Sequence, residues 1–85
     1  MPPWGRLCES DDARVRAAAA EAARAQGGAD HVETLIRLCA DPQPAVRFGA
    51  FHSLEVILGE GAKQTGYDPE NPDPAALEKL RALAR

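Results

Sequence analysis

Two cysteines, two histidines and a scatter of carboxylates are the side chains in these 85 residues that could do chemistry. A thiol nucleophile needs a neighbouring base or a helix N-terminus to lower its pKa. Cys8 and Cys39 raise the question because they recur at equivalent positions. His31 and His52 stand far apart, without HxxxH spacing, and no CxxC pair joins them. Zinc requires three or four converging ligands, so a metal centre is not expected. His31 reads as solvated in a first helical turn, and His52 as lying off the apolar stripe of its helix. Asp68, Glu70 and Asp73 do not follow the calcium-loop pattern, and the prolines among them prevent that loop geometry. Gly59-Glu60-Gly61 has no strand before it and no helix directly after it, so it is punctuation and not a phosphate loop. No catalytic residue, cofactor or metal site is assigned.

Composition narrows the remaining choices. Ten basic residues face thirteen acidic ones, a net charge of −3. That balance offers no electrostatic footprint for DNA or an anionic membrane. Arg14, Arg16 and Arg24 lie close together, but Asp11, Asp12 and Glu21 offset them and no aromatics interleave. Nucleic acid is therefore disfavoured as a partner. No apolar run reaches the roughly 18 residues of a membrane span. The opening residues lack a signal-peptide pattern, so the cytoplasm is the default location. Apolar residues make up 45%, many of them alanine, with only Trp4, Phe48, Phe51 and Tyr67 as aromatics. Such material suits helices, not sheets.

The positions of the residues show a duplication. A shift of 31 lays Arg6-Leu7-Cys8 on Arg37-Leu38-Cys39, Val15-Arg16 on Val46-Arg47, Ala19 on Ala50 and Gly28 on Gly59. Seven identities fall in one ungapped stretch, and a fixed period near 30 marks a stacked helical repeat. In the second copy, Val32, Leu35, Ile36 and Cys39 form one stripe on a helix from about Asp30 to Ala40, with Asp30 as N-cap. Asp41-Pro42-Gln43-Pro44 breaks the chain. A second helix then carries Val46, Ala50, Leu54, Ile57 and Leu58 and stops at Gly59. The first copy is reduced. Its first helix keeps only Pro3 to Glu9. Its second, about Asp12 to Gln26, turns Val15, Ala18, Ala19, Ala22 and Ala23 to one side and is capped by Ser10, Asp11 or Asp12. Repeat-equivalent helices stack about 8–10 Å apart. That exceeds the roughly 7 Å Cα limit for a disulfide, so Cys8 and Cys39 read as small core hydrophobes. Cys39 also falls at a helix C-terminus, where the dipole opposes a thiolate.

Beyond Gly59 the register is lost. Residues 60–72 read as loop. Helix resumes with Asp73 as N-cap, Pro74 in the first turn, and Leu77, Leu80 and Ala84, flanked by Ala76 and Leu83, as its apolar face. An open end of a stack needs covering, so this helix is expected to be a cap. The organisation is a single domain over 1–85: a degenerate repeat at 4–28, a full repeat at 29–59, a loop at 60–72 and a capping helix at 73–85.

Asp41-Pro42-Gln43-Pro44-Ala45-Val46-Arg47, followed by Ala50 and Leu54, resembles the D-x-x-x-x-V-R-x-x-A-x-x-x-L core of HEAT-like repeats. The resemblance covers residues 4 to 59, and the short period is similar to that of the bacterial type first named for phycobilisome lyases. Tyr67-Asp68-Pro69, after Thr65-Gly66, resembles the segment that follows the last repeat in some bacterial members. The resemblance implies an all-α fold, an α–α superhelix of about two HEAT-like helical hairpins with a C-terminal capping helix. It also implies that Asp41 pairs with Arg16 or Arg47, and Arg16 with Asp11 or Asp12. Each pair, being partly exposed, would be worth about 0.5 kcal/mol.

The function expected on these grounds is non-catalytic binding of a protein partner, as adaptor, assembly factor or structural subunit. Phe48 and Phe51 lie well off the Val46-Ala50-Leu54-Ile57 stripe. They either pack under the C-terminal helix and loop, with Leu77, Leu80 and Tyr67, or stay open for a partner. The contact residues are expected to be Phe48, Phe51, His52, Glu55, Trp4 and Arg14. Two repeats fall below the roughly three that usually stand alone, which points to self-association or an obligate partner. The alternative, by family analogy, is a lyase-like enzyme subunit handling a bilin-like cofactor. A nucleic-acid-binding HEAT-like protein is the third option.

Overall fold

A computed structural model of the chain describes residues 4–26 and 29–84, with side chains described for 6–25 and 31–83. Among the described residues all regular structure is helical: α1 (Trp4–Cys8), α2 (Ala13–Gln26), α3 (Ala29–Leu38), α4 (Pro44–Leu58), α5 (Glu60–Lys63) and α6 (Pro74–Ala84). The duplication is carried into three dimensions. α2 begins at Ala13 and α4 at Pro44, the same 31 residues apart. α1 pairs with α2 and α3 with α4, giving two hairpins. They stack in two layers, with α2 against α4 in one and α3 between α1 and α6 in the other.

Each helix end has a local cause. Asp12 caps α2: its Oδ1 accepts from the Arg14 amide at 2.9 Å, and its carbonyl from Val15 and Arg16. Pro44 opens α4, where its missing N–H costs nothing. Gly59 ends α4 at φ 72°, a conformation that disfavours residues with a Cβ, and its amide closes on the Glu55 carbonyl. Asp73 caps α6 through the Ala75 amide at 3.1 Å. Two expectations shift. α3 begins at Ala29, so Asp30 lies inside its first turn and is not the cap. Residues 60–72 are not all loop, since Glu60–Lys63 makes one helical turn.

The core joins Leu35, Ile36 and Val32 of α3, Val46, Ala50 and Leu54 of α4, and Ala76, Leu77 and Leu80 of α6. α2 contributes Ala19, Ala20 and Ala23, whereas Ala18 and Ala22, expected on that face, are exposed. The cause is α4, which lies against the Ala20 side and rotates the buried arc of α2 toward itself. Small residues permit that approach. A Cβ built on Gly49 would meet the Ala17 carbonyl oxygen at 3.1 Å and Glu21 Cγ at 3.2 Å. Four residues on, the buried Ser53 hydroxyl donates to the Ala20 carbonyl.

An arginine ladder joins the units. Arg16 Nη1 donates to the Ser10 carbonyl at 2.7 Å, and Arg47 Nη1 to the Asp41 carbonyl, also at 2.7 Å. Ser10 and Asp41 are equivalent under the 31-residue shift, as are the two arginines. Each arginine also reaches forward: Arg16 Nε to Asp41 Oδ2 at 2.8 Å, Arg47 Nε to the Pro69 carbonyl at 2.6 Å. Arg16 therefore takes Asp41 and not Asp11 or Asp12, while Asp12 pairs with Arg14.

Candidate partner-binding face

α4 has three kinds of surface. One side enters the core, one lies on α2, and the remainder faces outward. Phe48, His52 and Val56 follow one another at i, i+4 and i+8, an exposed strip that winds from the outward side at Phe48 to the margin of α2, since Val56 is also i+3 from Ser53. Phe48 is 47% exposed and Val56 60%. His52 is also exposed, with Nδ1 4.0 Å from Oε1 of Glu21 on α2. Glu55 is half-buried at the edge of the same side. The result is an apolar stripe with an imidazole at its centre and carboxylates beside it.

The structure separates the two phenylalanines. Phe51 is buried, its ring 4.8 Å from that of Tyr67 with the planes tilted by 49°. It belongs to the packing under the C-terminal segment and not to the outward face, which corrects its place among the contact residues. Tyr67 is fixed twice. Its amide donates to Thr65 Oγ1 at 3.2 Å, and its hydroxyl to the Cys39 carbonyl at 2.5 Å. Burial pushes the Tyr67 hydroxyl above its ordinary pKa. Arg47, by holding the Pro69 carbonyl, secures the same segment. Covering Phe51 is thus the work of residues 65–69.

The other expected contact residues scatter. Arg14 lies in the first turn of α2, with its side chain 92% exposed and its guanidinium on Asp12, Nη2 to Oδ2 at 3.1 Å. Hydrogen bonding from the Arg14 side chain, ahead of other causes, holds the Asp12 carboxyl below its usual range. Trp4 opens α1, but its side chain lies outside the described ones. Val56 was missed by sequence reading. It follows Glu55 and precedes Ile57, and only the placement of α2 tells which of these faces out. Spacing at i+8 from Phe48 was the available signal.

The thiols lie out of solvent. Cys8 and Cys39 are free and buried. Burial raises Cys39 to about 12 and, with a smaller contribution from Glu9, Cys8 to about 11. Among the described residues no three His, Cys, Asp or Glu side chains converge on a metal position, and no helix is long and apolar enough to cross a membrane. His31, expected in solvent, is half-buried in the first turn of α3.

Comparison with known proteins agrees with this architecture. A family model described as HEAT repeats matches residues 1–85. No curated protein and no solved structure matches the chain.

Proposed function

Because the chain belongs to the HEAT repeat family, whose members generally mediate protein–protein contacts, we propose that it is a non-catalytic binding module that uses the outward side of α4. The observation that carries this reading is the exposure of Phe48 and Val56, two large apolar side chains open to solvent along one strip of α4. Apolar residues grouped on a rigid helix mark interaction sites, and aromatics are common anchors there. His52 and Glu55 supply the polar margin. Adaptor, assembly factor and structural subunit all use such a face, and a cytoplasmic setting suits its free thiols. A lyase-type reading, by analogy with the short-period bacterial repeats, would need a thiol to reach substrate. Both thiols are buried, so it finds no support. The arginines that could serve a nucleic acid, Arg14 and Arg24, are paired with Asp12 and Glu21.

A photo-crosslinking residue at position 48, with one at exposed Lys79 on α6 as control, tests the proposal. A discrete adduct at 48, absent at 79 and competed by unlabelled wild-type protein, is expected. Equal labelling from both positions would sink it.

A further inference from the structure

We infer that the occupant of the open flank of α4 is the α2 helix of a second copy of this chain, docked as α4 docks on α2 within one chain. The inference rests on the reading of α4 as a binding face and names its partner.

The internal contact is the template. α4 turns Gly49 and Ser53 onto α2, where they meet the Ala17 carbonyl, the Ala20 carbonyl and the Ala20 methyl, the last 3.5 Å from a Cβ built on Gly49. α2 thus offers a receiving flank, Ala17 and Ala20, and α4 an inserting flank of small residues. The 31-residue shift identifies the counterpart of each. The inserting flank of α2 is Ala18 and Ala22, and both are exposed. The receiving flank of α4 is Phe48 and Phe51. Tyr67 covers Phe51 and leaves Phe48 open. Each chain therefore carries an unused inserting flank on α2 and, at Phe48, the uncovered part of a receiving flank on α4.

The open parts fit by size. On α4 the receiving positions are large where those of α2 are alanine, and the inserting positions of α2 are methyl-sized, leaving room for the Phe48 ring. α4 is followed by the one-turn α5, which packs against it, while α6 lies against α3. The contact between copies accordingly runs along the layer of α2 and α4 alone. Because the two halves lie on different helices, the association is head-to-tail, and it adds copies instead of stopping at two. It extends the repeat stack by the same nearest-neighbour contact that builds it.

Sedimentation velocity of the full chain, with two variants and their mixture, tests this. Phe48→Asp disables the receiving flank and keeps Ala22. Ala22→Glu disables the inserting flank and keeps Phe48. Wild-type protein is expected to give a concentration-dependent series running past dimer. Each variant alone is expected to be monomeric, and their equimolar mixture to give a heterodimer and nothing larger. Both positions are exposed, so both variants are expected to keep wild-type helix content by circular dichroism. Should either lose it, Phe48→Ser or Ala22→Gln takes its place. Self-association by Ala22→Glu but not by Phe48→Asp would overturn the inference in favour of a two-fold contact through Phe48. A wild-type chain monomeric to millimolar concentration would overturn it in favour of a foreign partner, which the cross-link at position 48 judges separately.

Discussion

Arg16 and Asp41 clasp each other across the two repeats at two points, Nε to Oδ2 at 2.8 Å and Nη2 to Oδ1 at 3.2 Å. Their side chains are only 16% and 9% exposed. Asp41 Oδ1 also accepts from the Gln43 amide at 2.9 Å, which steadies the entry to α4. A pair so enclosed is not the loose surface bridge worth about 0.5 kcal/mol. Removing one partner strands the other.

Asp41→Ala should therefore cost about 2–3 kcal/mol, because it leaves a partly buried guanidinium with only the Ser10 carbonyl and unties the Gln43 amide. Arg16→Met, which keeps bulk and leaves the Gln43 contact, should cost less. A double-mutant cycle by urea unfolding should return a coupling of about 1–2 kcal/mol. Additive losses would mean that the two residues act independently.

The Tyr67 hydroxyl satisfies a carbonyl just past the end of α3, and its ring covers Phe51. Tyr67→Phe removes only the first of these, for a loss of about 1 kcal/mol. Tyr67→Ala removes both, for a loss of about 3 kcal/mol, and should open residues 64–73 to limited proteolysis. Wild-type resistance in Tyr67→Ala would show that Arg47 and Pro69 hold the segment unaided.

Gly49 and Ala18 occupy equivalent positions with opposite surroundings. At Gly49 the helix packs on the Ala17 backbone, so Gly49→Val should destabilise by about 2 kcal/mol through overpacking. Gly49→Ala should fall within about 1 kcal/mol of wild type, since better helix propensity offsets the tight contact. Ala18→Val, on an exposed position, should change monomer stability by no more than about 0.5 kcal/mol. Thermal melts in dilute solution compare the three. Equal effects at both positions would contradict the packing of α4 on α2.

The buried thiols set an alkaline limit. Folding raises Cys39 from 9.0 to about 12 and Cys8 from 9.0 to about 11. A folded pKa above the unfolded one means that the native state keeps protons the unfolded chain has lost. That contribution is whole below pH 9.0. It declines as pH rises from there and is gone above about 12 for Cys39 and about 11 for Cys8. The urea midpoint should fall across this window, with a slope approaching about 1.4 kcal/mol per pH unit per group. Cys39→Ala, though less stable overall, should show a shallower decline. A midpoint level from pH 9 to 11 would contradict burial of the thiols.

The 31-residue echo, the proline breaks and the apolar spacing determined the helical repeat by themselves, because helix type and period depend on neighbours three and four positions apart. The same local logic placed Gly59 and Asp73 at helix ends and left the cap of α2 among Ser10, Asp11 and Asp12, of which the folded chain uses Asp12. It misplaced the cap of α3, where several polar residues compete within one turn. Which alanines of α2 are buried, which acceptor each arginine takes, and whether Phe48 or Phe51 meets solvent were settled only by tertiary structure. Those outcomes depend on how closely Gly49 lets α4 approach α2 and on where residues 65–69 fold back, contacts between segments far apart in the chain. Arg47 shows the division well. Its equivalence to Arg16 is written in the repeat, but no aspartate follows at the same distance, and only the folded chain brings the Pro69 carbonyl to it.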